Sequence, residues 1–91
     1  MAIDEKKQTA KEMFEEFAKM EGLYDVLIEE RYCLIPYFKI TFSESGCCDH
    51  RSYIEVTADD RVSFDRFRCD VENLELLTKA IHQQMKELGW I

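Results

Sequence analysis

The sequence has little backbone punctuation, with one proline and three glycines in 91 residues. That scarcity excludes collagen-like, mucin-like and linker compositions. Long apolar runs are missing too: a bilayer-crossing helix needs roughly 20 of them, and the longest stretch here, Cys33 to Phe42, is broken by Pro36 and Lys39. Base is in deficit, with 12 Lys plus Arg against 19 Asp plus Glu and a formal charge of -7. Nucleic acid and anionic membrane surfaces are therefore excluded as expected partners, because both are held by Lys and Arg replacing counterions. Gly22, Gly46 and Gly89 stand too far apart for a phosphate-cradling loop. The opening residues, Met-Ala-Ile-Asp-Glu-Lys-Lys, lack the basic start and apolar core of a secretory signal. A cytoplasmic address with reduced thiols is the expectation.

The chain is 46% hydrophobic, 12% aromatic and 34% charged, a composition that folds. A chain of this size buries only about 60 to 65% of its unfolded surface, so residues 1–91 are expected to form a single domain around one core.

Ile3 to Glu21 places Ile3, Ala10, Met13, Phe14, Phe17, Ala18 and Met20 on one stripe at the 3.6-residue period, which predicts an amphipathic helix. Asp4 and Glu5 suit its first turn, Glu15 and Lys19 are spaced as an i,i+4 pair, and Gly22 stops it. Val71, Leu74, Leu77, Ile81, Met85 and Leu88 predict a second helix, with Asp70 as N-cap, Gly89 as its stop and Glu75 to Lys79 as a further pair.

Between the helices the period changes to two. Phe38, Ile40 and Phe42, then Ile54 and Val56, then Val62 and Phe64 alternate with polar neighbours, predicting three half-buried strands. The alternation slips at Arg66, which marks a bulge or the end of pairing. Tyr24 to Glu30 fits both periods and is assigned as a strand on its β-branched and aromatic content and the flanking Gly22. Ser43 to His50 and Ala58 to Arg61 read as hairpin loops. The expected fold is α+β, a two-layer sandwich: a four-stranded antiparallel sheet with the N- and C-terminal helices on one face, in the order α-β-β-β-β-α. Helix, strands, helix is similar to the element order of the double-stranded RNA-binding domain. That family carries base at the start of its last helix, where this chain has Asp70, Glu72 and Glu75, so its function is not implied.

Cys47-Cys48-Asp49-His50 gathers two thiols, a carboxylate and an imidazole, with Cys33, Cys69 and His82 available elsewhere. Structural zinc sites space their cysteines by two to four residues, since adjacent side chains diverge, so no metal and no cofactor are expected; a metal- or thiol-dependent loop is the alternative reading. Asp49 and Glu44 would raise a thiol pKa there. No histidine has the neighbours of a catalytic base, and the paired acids Glu15-Glu16, Glu29-Glu30 and Asp59-Asp60 read as solvated faces. His82 reads as a half-buried packing residue.

The expectation is a small, acidic, non-catalytic protein-interaction domain, not an enzyme. It would act as an inhibitor or adaptor on the basic surface of a protein partner, in the manner of small acidic phage-encoded inhibitors of nucleic-acid-handling enzymes. A homodimer formed through the sheet is the other candidate assembly. Partner contact is assigned to Tyr37, Lys39, Tyr53 and Glu55 on the uncovered sheet face, and to Leu76, off the helical stripe, and Trp90, beyond Gly89, for which the alternative is packing over the core edge, the terminal pair folding back onto the sheet.

Overall fold

Thr9 fixes the start of the first helix, α1 (Ala10–Glu21), in the computed structural model, which describes residues 8–32, 34–44 and 51–91. Its hydroxyl accepts from the Glu12 amide at 3.2 Å, and the Glu12 carboxylate accepts from the Thr9 amide at 2.9 Å. This capping box satisfies amides that a helix start leaves unpaired. The helix expected from Ile3 therefore begins later; Ile3, Asp4 and Glu5 lie outside the described residues. Gly22 ends α1 at φ 74°, a left-handed conformation that costs glycine nothing. Ala10, Phe14, Phe17 and Ala18 are buried, whereas Met20, expected beside them, is exposed. At 3.6 residues per turn it sits roughly 100° from the middle of the buried stripe.

Four strands follow, β1 (Leu23–Tyr32), β2 (Pro36–Glu44), β3 (Arg51–Thr57) and β4 (Arg61–Asp65), antiparallel and in the spatial order β1-β2-β3-β4. Ile28, Ile40, Ile54 and Phe64 stand opposite one another across the sheet, so each strand turns its apolar residues to one side. The segment from Tyr24 is a strand, as expected, but its alternation is broken. The β1–β2 register shifts between Tyr24 and Leu27, with Asp25 at φ 55°. Val26 and Ile28 pack on the core while Tyr24 turns to the other face. A three-residue turn, Ala58–Asp60, joins β3 to β4, with Asp60 at φ 72° donating its amide to the Thr57 carbonyl at 3.0 Å. β4 ends where Arg66 takes φ 52°, and Phe67 then drops onto the core, which is the slip the sequence announced. Residues 45–50 lie outside the described residues.

A single 3-10 turn, Val71–Asn73, leads into the second helix, α2 (Leu74–Glu87). Asp70 makes no side-chain cap. Leu77, Ala80, Gln84 and Met85 are buried, while Val71 and Leu74 are exposed. The stripe is thus rotated from the expected one, because Ala80 and Gln84 face the core, and Val71 sits on the tighter 3-10 turn, outside the helix's phase. At the other end the Gly89 amide donates to Lys86 and the Trp90 amide to Met85, at 3.0 and 2.9 Å, with Gly89 at φ 78°. This closure folds the chain back and lays the Trp90 ring 5.6 Å from that of Phe38.

Both helices cover the same sheet face, and their buried residues join those of β2 and β3 in one core. Phe17 and Phe42 lie within it and the half-buried Phe67 packs against them, with ring centroids 5.7 to 5.9 Å apart. The architecture is the expected α+β sandwich. Two glutamates tie the helices together end to end. Glu87, at the end of α2, accepts from the Ala10 amide that opens α1, at 2.7 Å. Glu21, at the end of α1, accepts from the Asp70 amide at 2.9 Å and from the Asn73 side chain. Each carboxylate faces the positive end of its neighbour, and of the two expected i,i+4 pairs on the helices, Glu75–Lys79 closes at 3.5 Å.

Candidate partner-binding face

The helices leave the second sheet face uncovered, and the register sets its residues in rows. Arg31, Tyr37, Thr57 and Arg61 form one row; Glu29, Lys39, Glu55 and Ser63 the next; Leu27, Thr41, Tyr53 and Asp65 the third. Tyr37, Lys39, Tyr53 and Glu55 therefore share one surface, as their alternation with the core residues required. Lys39 Nζ lies 4.1 Å from the centre of the Tyr53 ring, a cation–π contact. Arg31 donates to Glu29 at 2.9 Å, and Arg61 stands 3.8 Å from Asp59. Each of these three cations thus has a partner, while Glu55 and Asp65 form no ion pair among the described residues.

The third row has relief. Thr41 is only 7% exposed although it points to the open side, because Leu27 and Tyr53 flank it; Leu27 itself is 46% exposed. Ser43, one row on, is buried beside Tyr24. Two small hydroxyl side chains thus floor a shallow trough between larger apolar walls.

Leu76 and Trp90 do not belong to this surface. Both are half-buried against the core, in the helical layer, so of the two expected placements they take the core edge and not the surface. Leu76 follows from the rotated stripe of α2, and Trp90 from the turn at Gly89. His82 is exposed, not half-buried.

A feature that the sequence reading missed lies at the far edge. Val62 and Phe64 point to the helix side of β4, yet they are 47% and 51% exposed. Between them and α2 runs a groove of about 200 Å³, with Leu74, Thr78, Ile81 and His82 on its helical wall. A signal was present: a helix covering β4 would carry large apolar residues where Thr78 and His82 stand one turn apart.

Cys69 is a half-buried free thiol. Burial pushes its pKa up, and the negative charges of Glu21 and Asp70 add to the shift, the opposite of what a nucleophilic thiol needs. The hydrogen bond from the Tyr32 hydroxyl to Glu30, at 2.9 Å, and the charge of that carboxylate raise the phenol above its usual range. Among the described residues no three His, Cys, Asp or Glu side chains gather as metal ligands. Cys33 and the loop Cys47-Cys48-Asp49-His50 lie outside the described residues. No helix among the described residues is long and apolar enough to cross a membrane. Comparison with known protein families, curated proteins and solved structures finds no match.

Proposed function

We propose that this chain is a small acidic protein-interaction domain without catalytic activity, an inhibitor or adaptor that docks its open sheet face on a basic surface of a partner protein. The observation that carries the reading is the composition of that face: Leu27 and Tyr53 flank a trough floored by Thr41, Tyr37 stands two rows further along the same strand as Thr41, and no described helix covers them. Aromatic side chains held rigidly on a strand bury much area on docking at little entropic cost. The charge of the chain, -7, draws a basic partner. On the face itself Glu55 and Asp65 are unpaired among the described residues, so incoming Lys or Arg side chains meet acceptors that no internal cation competes for.

A photo-crosslinking residue placed at Tyr53 tests this in the native host. Adducts with a basic protein, reduced by salt and by Tyr37→Ala, are the expected result. The control position is Glu16, exposed on α1. Adducts at Glu16 with none at Tyr53 would place the contact on the helices and overturn the reading.

A further inference from the structure

Each outer strand of the sheet leaves backbone N–H and C=O groups unpaired along one side, a template for another strand. The two edges are not equivalent. β1 is guarded by its register shift, by Asp25 at φ 55° and by the charged run Glu29-Glu30-Arg31. β4 has no register shift, no proline and no lysine. All five of its residues are exposed, and its apolar side chains, Val62 and Phe64, border the open groove beside α2. Left-handed residues bracket the strand, Asp60 at φ 72° and Arg66 at φ 52°, so the straight edge is confined to Arg61–Asp65.

We propose that the occupant of this edge is a second copy of the chain, β4 pairing antiparallel with β4 about a two-fold axis at Ser63, so that two four-stranded sheets become one. The strand Arg61-Val62-Ser63-Phe64-Asp65 is self-complementary about its centre. With Ser63 opposite its own copy, Arg61 faces Asp65 of the second copy and Val62 faces Phe64 of the second copy, and symmetry makes each pair twice. Opposite charges and apolar pairs directly across an antiparallel ladder are favourable, and like charges there are not. A slip of one residue opposes side chains of unlike faces and cannot be two-fold symmetric; a slip of two breaks both ion pairs and shortens the overlap. The axis keeps both helical layers on one side, so the Val62–Phe64 pairs lie between the two α2 helices, over the groove of each copy. This contact uses an edge; its ion pairs engage Asp65, at the border of the docking face proposed above, and leave Tyr37, Tyr53 and Glu55 of that face open in both copies.

Sedimentation of the full chain over a concentration series tests it, with Asp65→Arg, Arg61→Glu and the double exchange, and with far-ultraviolet circular dichroism to show that each variant keeps its sheet. The wild-type chain is expected to move reversibly from 10.8 kDa to twice that mass. Each single reversal sets like charges opposite at both symmetric positions and should raise the dissociation constant about 10- to 50-fold. The double exchange restores complementarity and should return the constant to within about threefold of the wild type. A wild-type chain that stays monomeric at the highest concentration reached overturns the proposal. So does a dimer indifferent to the single reversals, or one that the double exchange fails to restore. A dimer lost in Tyr53→Ala but unmoved by changes at Arg61 and Asp65 would place the contact on the open face, and would also overturn it.

Discussion

Replacing Glu21 with alanine removes one oxygen that serves two donors. Oε2 accepts from the exposed Asp70 amide at 2.9 Å and from the side-chain amide of Asn73. Asn73 is 4% exposed, so water cannot take the place of the carboxylate. The exposed bond should contribute about 0.5 kcal/mol, and stranding the buried amide should cost about 1.5 to 2 kcal/mol. Together they predict a loss of about 2 to 2.5 kcal/mol. In urea, with a slope of about 1 to 1.5 kcal/mol per molar for a small domain, the midpoint should fall by about 1.3 to 2.5 M. The thermal midpoint should fall by about 10 to 15 °C. Glu21→Gln keeps an acceptor but loses the charge, and should cost about 1 kcal/mol. Glu16→Ala, at an exposed acid of the same helix, controls for the relief of net negative charge. A double-mutant cycle with Asn73→Ala isolates the pair, with an expected coupling of about 1 to 2 kcal/mol. A loss below about 0.5 kcal/mol for Glu21→Ala, or a coupling near zero, would show that the carboxylate is not holding the start of the second helix.

Asp60 holds a left-handed φ of 72° in an exposed turn, so Asp60→Gly should be neutral or stabilise by up to about 1 kcal/mol in thermal unfolding; a clear loss would mean that its side chain supports the turn. Because burial, then Glu21 and Asp70, raise the Cys69 thiol, the native chain keeps that proton to higher pH than the unfolded chain. The corresponding stability is present below the ordinary thiol range and is lost as pH rises through the raised native value. Peptide-resolved alkylation should therefore show the reactivity of Cys69 rising at higher pH in the native protein than in urea; coincident profiles would refute it.

The strands were legible because only one face of the sheet is covered: Phe38, Ile40 and Phe42 could not share a side with Lys39 and Thr41. The same alternation brought Tyr37, Lys39, Tyr53 and Glu55 to one surface. The start of α1 was misread because Ile3 prolongs the helical period, whereas the true boundary is a local hydrogen-bond choice, written as Thr9-Ala-Lys-Glu12. Leu76 stands off the stripe of large apolar residues, whereas the buried stripe of α2 is turned toward Ala80 and Gln84, a small and a polar residue that the apolar pattern passes over. For Trp90 the sequence leaves surface and core edge both open, and the bonds around Gly89 select the core edge. The glutamate ties were invisible for a further reason. An acid at the last turn of a helix opposes that helix's own dipole, and Glu21 and Glu87 make sense only beside an antiparallel neighbour. The groove at β4 is marked in the sequence only by Thr78 and His82, one turn apart on α2 where a helix covering the strand would carry large apolar residues.

The first and last helices touch each other, and in between α1 meets β1 and each strand meets the next. Traced through space, the elements form a row from α1 through the four strands in sequence order, and α2 joins that row at one seam, against α1. That seam is fastened at both ends by bonds spanning 77, 49 and 52 residues. Loop-closure entropy grows only with the logarithm of loop length, so joining the far ends of the chain costs little more than joining nearer ones, and the joining is needed once. Opening the seam would unfasten α2 from α1 while leaving α1 on β1 and every strand paired to the strand beside it in sequence.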